Sequence, residues 1–177
     1  MAVMKYILVG LMMGLISSVG VAQSVRSDQS AEITEVTLEM NPGSSTSARD
    51  FRIVLRSDGT ASYEGRANVK LQGKYQGLFA KEDFAQLAKF VSEHHFGDLT
   101  SFPSSKAATV TFSELNSFAI AAPTIRTSIL QNTKRITIER PVGVKINNPK
   151  PPPKDLLDIE NAITTAATRI KWDKVKK

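Results

Sequence analysis

The chain has 177 residues, a formal net charge of +6 and no cysteine. That length allows one domain with a substantial core, and the missing thiols exclude disulfides, thiolate metal sites and a cysteine nucleophile. The charge is uneven: residues 134–177 hold 11 basic against 5 acidic side chains, so the positive surplus lies in the last quarter, which closes in KWDKVKK.

In chain order, MKYILVGLMMGLISSVGVAQS has the layout of an export signal. Lys5 supplies the positive start, Ile7 to Ile16 an uncharged apolar core, and Gly20 and Ala22 the small residues of a cleavage site. The apolar run is shorter than the roughly 20 residues that span a bilayer. The reading is a signal peptide over residues 1–22, cleaved after Ala22, with no transmembrane segment in the mature chain. With no cysteine after the apolar core, a lipid-anchored lipoprotein is excluded. Residues 23–32 are polar and read as a flexible leader.

ITEVTLEM alternates from Val36 onward, the pattern of a strand with one buried face. NPGSSTSARD is a breaker-rich loop. In FRIVLRSDGTASYEG, Phe51, Ile53 and Leu55 alternate with polar neighbours, Asp58-Gly59 supplies turn chemistry, and Ala61 and Tyr63 resume the alternation. This is a strong hairpin pattern. ANVKLQGKYQGLF reads as a third strand with Val69 and Leu71 on one face, bent at Gly73 or Gly77.

KEDFAQLAKFVSEHHF changes to a helical period. Phe84, Leu87, Ala88 and Val91 share one face, His94 and His95 lie in the last turn, and Gly97 follows as a stop. Residues 100–122 read as an irregular excursion. PTIRTSILQ and KRITIER form a second hairpin around Asn132-Thr133, and VGVKI extends the sheet. After the stiff NNPKPPPK linker, Leu156, Ile159, Ile163, Ala167 and Ile170 keep helical spacing, with Pro153 at the start and Trp172 at the close. The predicted fold is α+β: an antiparallel sheet of about five to seven strands with two amphipathic helices on one face. One domain covers residues 33–172, and 173–177 form a basic tail.

Few residues nominate themselves for chemistry. His94 and His95 are the only histidines, no G-x-S-x-G elbow is present, and Ser57 belongs to a hairpin turn, which argues against a serine hydrolase. His94, His95, Glu93 and Asp98 form a weak candidate metal cluster. Adjacent histidines on a helix diverge by about 100°, and a cationic helix C-terminus interacting with the dipole is the preferred explanation for them. Asp58 and Glu64 resemble a carboxylate pair, but the turn accounts for the first and an exposed strand position for the second. Gly73-Lys74-Tyr75 is not a phosphate-binding loop. Tyr63, Tyr75, Phe79 and Phe90 read as core; exposed beside Arg66 and Lys74, they would instead line a groove.

The run F-R-I-V-L-R-S-D-G-T-A-S-Y-E-G resembles a family of exported bacterial domains catalogued as a domain of unknown function. So do K-L-Q-G-K-Y-Q-G, K-E-D-F-A-Q-L-A-K-F, P-T-I-R-T-S and the closing I-K-W, and together they span about Ile33 to Trp172. Many such members carry C-x-G-x-C-P before the hairpin, where this chain has N-P-G-S-S-T-S-A-R-D, and an acidic residue before P-T, where it has Ala121 and Ala122. A function carried by those features in relatives is expected to be lost here. The resemblance implies no activity and no catalytic residues.

The expectation is therefore an exported, non-catalytic binding module of the envelope or secretome, with no catalytic residue and no cofactor assigned. The basic C-terminal region reads first as a solvated tail and helix face that keep the domain soluble; the partner is left unassigned, with an envelope protein or an anionic surface met by that region as the candidates. Nucleic acid is not expected, because no aromatic residues interleave with the basic ones. The alternative is an enzyme, or an inhibitor of one, with a pocket that residue patterns do not reveal.

Overall fold

A computed structural model describes residues 32–101, 122–142 and 151–176. The predicted export signal, most of the predicted excursion after Thr100 and the predicted VGVKI extension beyond Val142 lie outside the described residues. One seven-stranded antiparallel sheet, in the order β6 (Lys134–Pro141), β5 (Thr124–Gln131), β1 (Ile33–Asn41), β2 (Asp50–Arg56), β3 (Thr60–Ala67), β4 (Gly73–Leu78) and β7 (Asp173–Lys174), carries two helices on one face.

Strands β1 (Ile33–Asn41), β2 (Asp50–Arg56), β3 (Thr60–Ala67) and β4 (Gly73–Leu78) run as an antiparallel meander. Their alternation sorts the sheet into two faces. Val36, Leu38, Ile53, Leu55 and Ala61 face the helices and are buried, whereas Glu35, Glu39, Arg52 and Glu64 occupy the other face. The β2–β3 turn is closed by Asp58, whose Oδ1 accepts hydrogen bonds from the Thr60 N–H (2.8 Å) and hydroxyl (2.7 Å). Those two bonds hold its carboxyl below the usual carboxylate range.

The third predicted strand needs correcting. β3 ends at Ala67 and the chain turns through residues 68–72, so Val69 and Leu71 are not strand residues. Asn68 adopts φ 54, an uncommon conformation that Asn tolerates better than most, and its side-chain amide donates to Thr46 O (2.7 Å) and Ala48 O (2.8 Å). The turn then folds back over Gly65, where a Cβ would lie 1.9 Å from Leu71 O. Only glycine permits that approach.

Helix α1 (Lys81–Glu93) buries Phe84, Leu87 and Val91. It stops before the histidines: His94 is the C-cap, and His95, not Gly97, takes the left-handed position, with φ 47. A short 3-10 turn follows at Asp98–Ser101. Strands β5 (Thr124–Gln131) and β6 (Lys134–Pro141) form the second hairpin around Asn132 and Thr133, both at positive φ, as a primed two-residue turn requires. β5 pairs antiparallel with the free side of β1.

Helix α2 (Lys154–Thr168) buries Leu156, Ile159 and Ile163 completely, each contributing about 2 kcal/mol. It crosses the sheet from the β6 side to the β4 side. At its far end the Trp172 indole N–H donates to Ala167 O (3.2 Å), and Ile170 and Lys171 pass closely over Gly77 of β4. The residues after Trp172 do more than form a tail. Asp173–Lys174 is a short edge strand, β7, paired antiparallel with Gln76 and Tyr75 of β4 and extended by Val175 N–H to Lys74 O (2.9 Å).

Candidate binding groove

The helix-free face is organised by charge. Glu35 sits between Arg56 (3.0 Å) and Arg135 (2.8 Å). Burial works against its ionisation, but the two guanidiniums outweigh burial and hold its carboxyl below the usual range. Towards the other end, Arg66 reaches Glu39, Asp50 and Glu64, and Arg126 bridges Glu39 to Glu139. Desolvation opposes the Arg66 charge, and the carboxylates around it more than compensate, raising its affinity for the proton. Between these two belts Thr37, Val54 and Ser128 are buried, and the Ser128 and Thr137 hydroxyls are 2.9 Å apart. Glu35, Glu39 and Glu139 are thus each matched by arginines of neighbouring strands.

At the β4–β7 end the pattern breaks. A groove of about 610 Å³ opens there on the helix-free face, between the outer surface of β2–β4 and the segment 173–176. Leu78, opposite Thr60 in the ladder, and Val175 both line it. They are the exposed large apolar residues among those described, at 84% and 41%. Large apolar side chains left in water beside one concavity are the usual mark of a contact surface. Arg56, Asp173, Lys174 and Lys176 complete the lining; Asp173 shares the groove face with Gln76, whereas Lys174, opposite Tyr75, carries its side chain over the strand edge to the helix side, beside Gly73. Arg56 already pairs with Glu35. Neither Lys174 nor Lys176 has a carboxylate within ion-pair distance among the described residues.

The histidines lie elsewhere, on the helix side. His94 Nδ1 is 2.9 Å from Phe90 O, and its ring packs on Phe90 at 4.0 Å between centroids. Its partners come from α2: ligand atoms of His94, Asp155 and Asp158 all lie within 4.8 Å of one another. The cluster expected around His94, His95 and Asp98 is thereby redrawn. His95 turns away, exposed, at its left-handed position, and Asp98 opens the 3-10 turn. A cation at the redrawn cluster would meet opposition. Lys154 Nζ already bonds Asp158 Oδ2 (2.8 Å), which raises the Lys154 pKa, and the N-terminus of α2 adds positive dipole.

Glu64 and Asp58 do not act as a pair: Glu64 bonds Arg66 (3.3 Å), and Asp58 closes its turn. Of the aromatic residues, Phe79 is buried, and Tyr63 packs among Phe51, Tyr75 and Trp172 on the helix side. Burial raises the Tyr63 pKa, with Tyr75 adding to it. Residue patterning missed Leu78 and Val175. One signal for Leu78 was present: Leu78 and Phe79 are consecutive, and in an alternating strand only one of them can face the core.

Comparison with protein-family models finds no match for this chain, and comparison with curated proteins finds none either.

Proposed function

We propose that this protein is an exported, non-catalytic binding module that engages an anionic partner through the groove between β4 and the segment following α2. The observation that carries this reading is the exposed pair Leu78 and Val175 in a groove whose wall, the segment 173–176, also carries the uncompensated Lys174 and Lys176. Apolar contact supplies affinity there, and the lysines supply attraction and orientation. Elsewhere on the same face Arg66, Arg126 and Arg135 are engaged in intramolecular ion pairs. His94 sits on the helix side of the sheet, beside the start of α2, and not at the groove, which favours binding over acid–base chemistry at this site.

Export rests on the layout of residues 1–22 and on the resemblance to an exported domain family. It predicts a mature chain beginning at Gln23, and an intact Met1 in purified envelope fractions would contradict it. The binding reading is tested by immobilising the protein and measuring retention of envelope material, beside Leu78→Ser and Lys174→Glu/Lys176→Glu variants. Retention should fall in both variants and at high salt. Equal retention by wild type and variants would overturn the groove as the site.

A further inference from the structure

Resting on that reading, we propose that the occupant of the groove is an extended acidic protein segment that adds as an eighth strand to the free edge of β7. The register of the β4–β7 pair carries the argument. Val175 N–H bonds Lys74 O, so residues 175 and 74 are a hydrogen-bonded pair. In an antiparallel ladder such pairs alternate with non-bonded ones, and Lys174 opposite Tyr75 is the next, non-bonded pair. The N–H and C=O of Lys174 therefore point away from β4, along the sheet edge. No partner for them occurs among the described residues. An incoming strand finds one donor and one acceptor at the required spacing, next to a groove that takes a side chain.

The surroundings select the chemistry of that strand. Alternate side chains of an added strand take opposite faces: carboxylates on one would meet Lys174 on the helix side, and an apolar residue on the other would meet Leu78 and Val175 in the groove. A second copy of this edge is disfavoured, because lysine would face lysine; edge lysines are a common defence against self-pairing. A flat anionic bilayer matches the charge, but it would leave a concave groove of about 610 Å³ unfilled. Strand addition gives affinity through the main chain and specificity through alternate side chains, and this edge has both parts.

The test uses the isotope-labelled protein purified in its cellular form and the peptide Ac-Ser-Glu-Leu-Glu-Val-Glu-Ser-NH2. Controls are copies N-methylated on alternate amides in either phase, a copy with Lys for Glu, and phosphatidylglycerol or phosphatidylcholine vesicles. The acidic peptide should shift the Lys174 amide and the Leu78 methyls. One phase of N-methylation, and the Lys copy, should bind about tenfold more weakly. Leu78→Ser should weaken binding while leaving the Lys174 amide responsive. Equal binding of both N-methylated copies would mean charge capture without strand addition. Binding of phosphatidylglycerol vesicles and no peptide would assign the groove to a membrane. Either result overturns the added strand and leaves the binding-module reading standing. That reading falls separately, if envelope retention ignores the groove variants.

Discussion

Arg140, near the end of β6, and Glu160, midway along α2, form a buried ion pair in which the arginine Nε lies 3.0 and 3.2 Å from the two carboxylate oxygens. A second contact runs from the other guanidinium nitrogen to Glu160 Oε2, and Thr127 donates to Oε1 from below at 3.4 Å. The side chains are only 13% and 8% exposed. The pair fixes which turn of α2 lies over the β5–β6 hairpin, and so sets where the far end of the helix delivers β7.

Removing one partner leaves the other charge buried and unpaired. Glu160→Ala should lower unfolding stability by about 3 kcal/mol, whereas Arg140→Met with Glu160→Leu should recover most of that loss. Urea denaturation of the three proteins measures it. A double variant as unstable as the single one would show that the pair contributes more than mutual neutralisation.

Glu35 links stability to pH. Its carboxyl is held below the ordinary range when folded, so the folded state binds its proton less readily than the unfolded chain. The stabilisation is fully present above the ordinary glutamate value of about 4.3 and is lost as pH falls through the depressed folded value. Its arginine partners are 39% and 44% exposed, so solvent screening limits the effect to about 1 kcal/mol. Glu35→Gln should be less stable than wild type at pH 7, and the difference should close on acidification. A difference that persists to pH about 2, well below that range, would contradict the assignment.

Gly77 is where α2 hands the chain to β7. A Cβ there would sit 2.4 Å from Ile170 Cγ2 and 2.9 Å from Lys171 O. Gly77→Ala should cost about 1–3 kcal/mol by overpacking and loosen the β4–β7 pair. Hydrogen exchange at the Val175 amide, which bonds Lys74 O, reads this directly. Exchange there should quicken more than at β1 or β2.

Leu78 separates stability from binding. At 84% exposure it contributes almost nothing to the core, so Leu78→Ser should change stability by no more than about 0.5 kcal/mol. The same variant should lose most of the groove-dependent retention. A large drop in thermal stability would show that the side chain packs in solution.

Where the sequence was legible, regular repetition made it so. Phe51, Ile53, Leu55, Ala61 and Tyr63 repeat every two residues around Asp58-Gly59, and Phe84, Leu87 and Val91 repeat at helical spacing. Both patterns survive in the structure. Residues 68–72 misled because Val69 and Leu71 continue the alternation through a turn, and the contact that closes it, Leu71 O over Gly65, is a local backbone approach that leaves no mark on that alternation. β7 was invisible for a simpler reason: two residues carry no period. The partners of His94 are about sixty residues away on another helix, beyond any local rule.

By itself, the sequence determined the sheet, its two hairpins, the two amphipathic helices and the face they cover. Those follow from burying apolar side chains at periods of two and 3.6. Only the tertiary structure decided that β5 joins the free side of β1, that α2 crosses to the far edge, and that the closing lysines line a groove with Leu78. Strand order, edge exposure and the meeting of distant charges depend on which surfaces pack together, and residue alternation says which face a side chain takes but not which neighbour it finds.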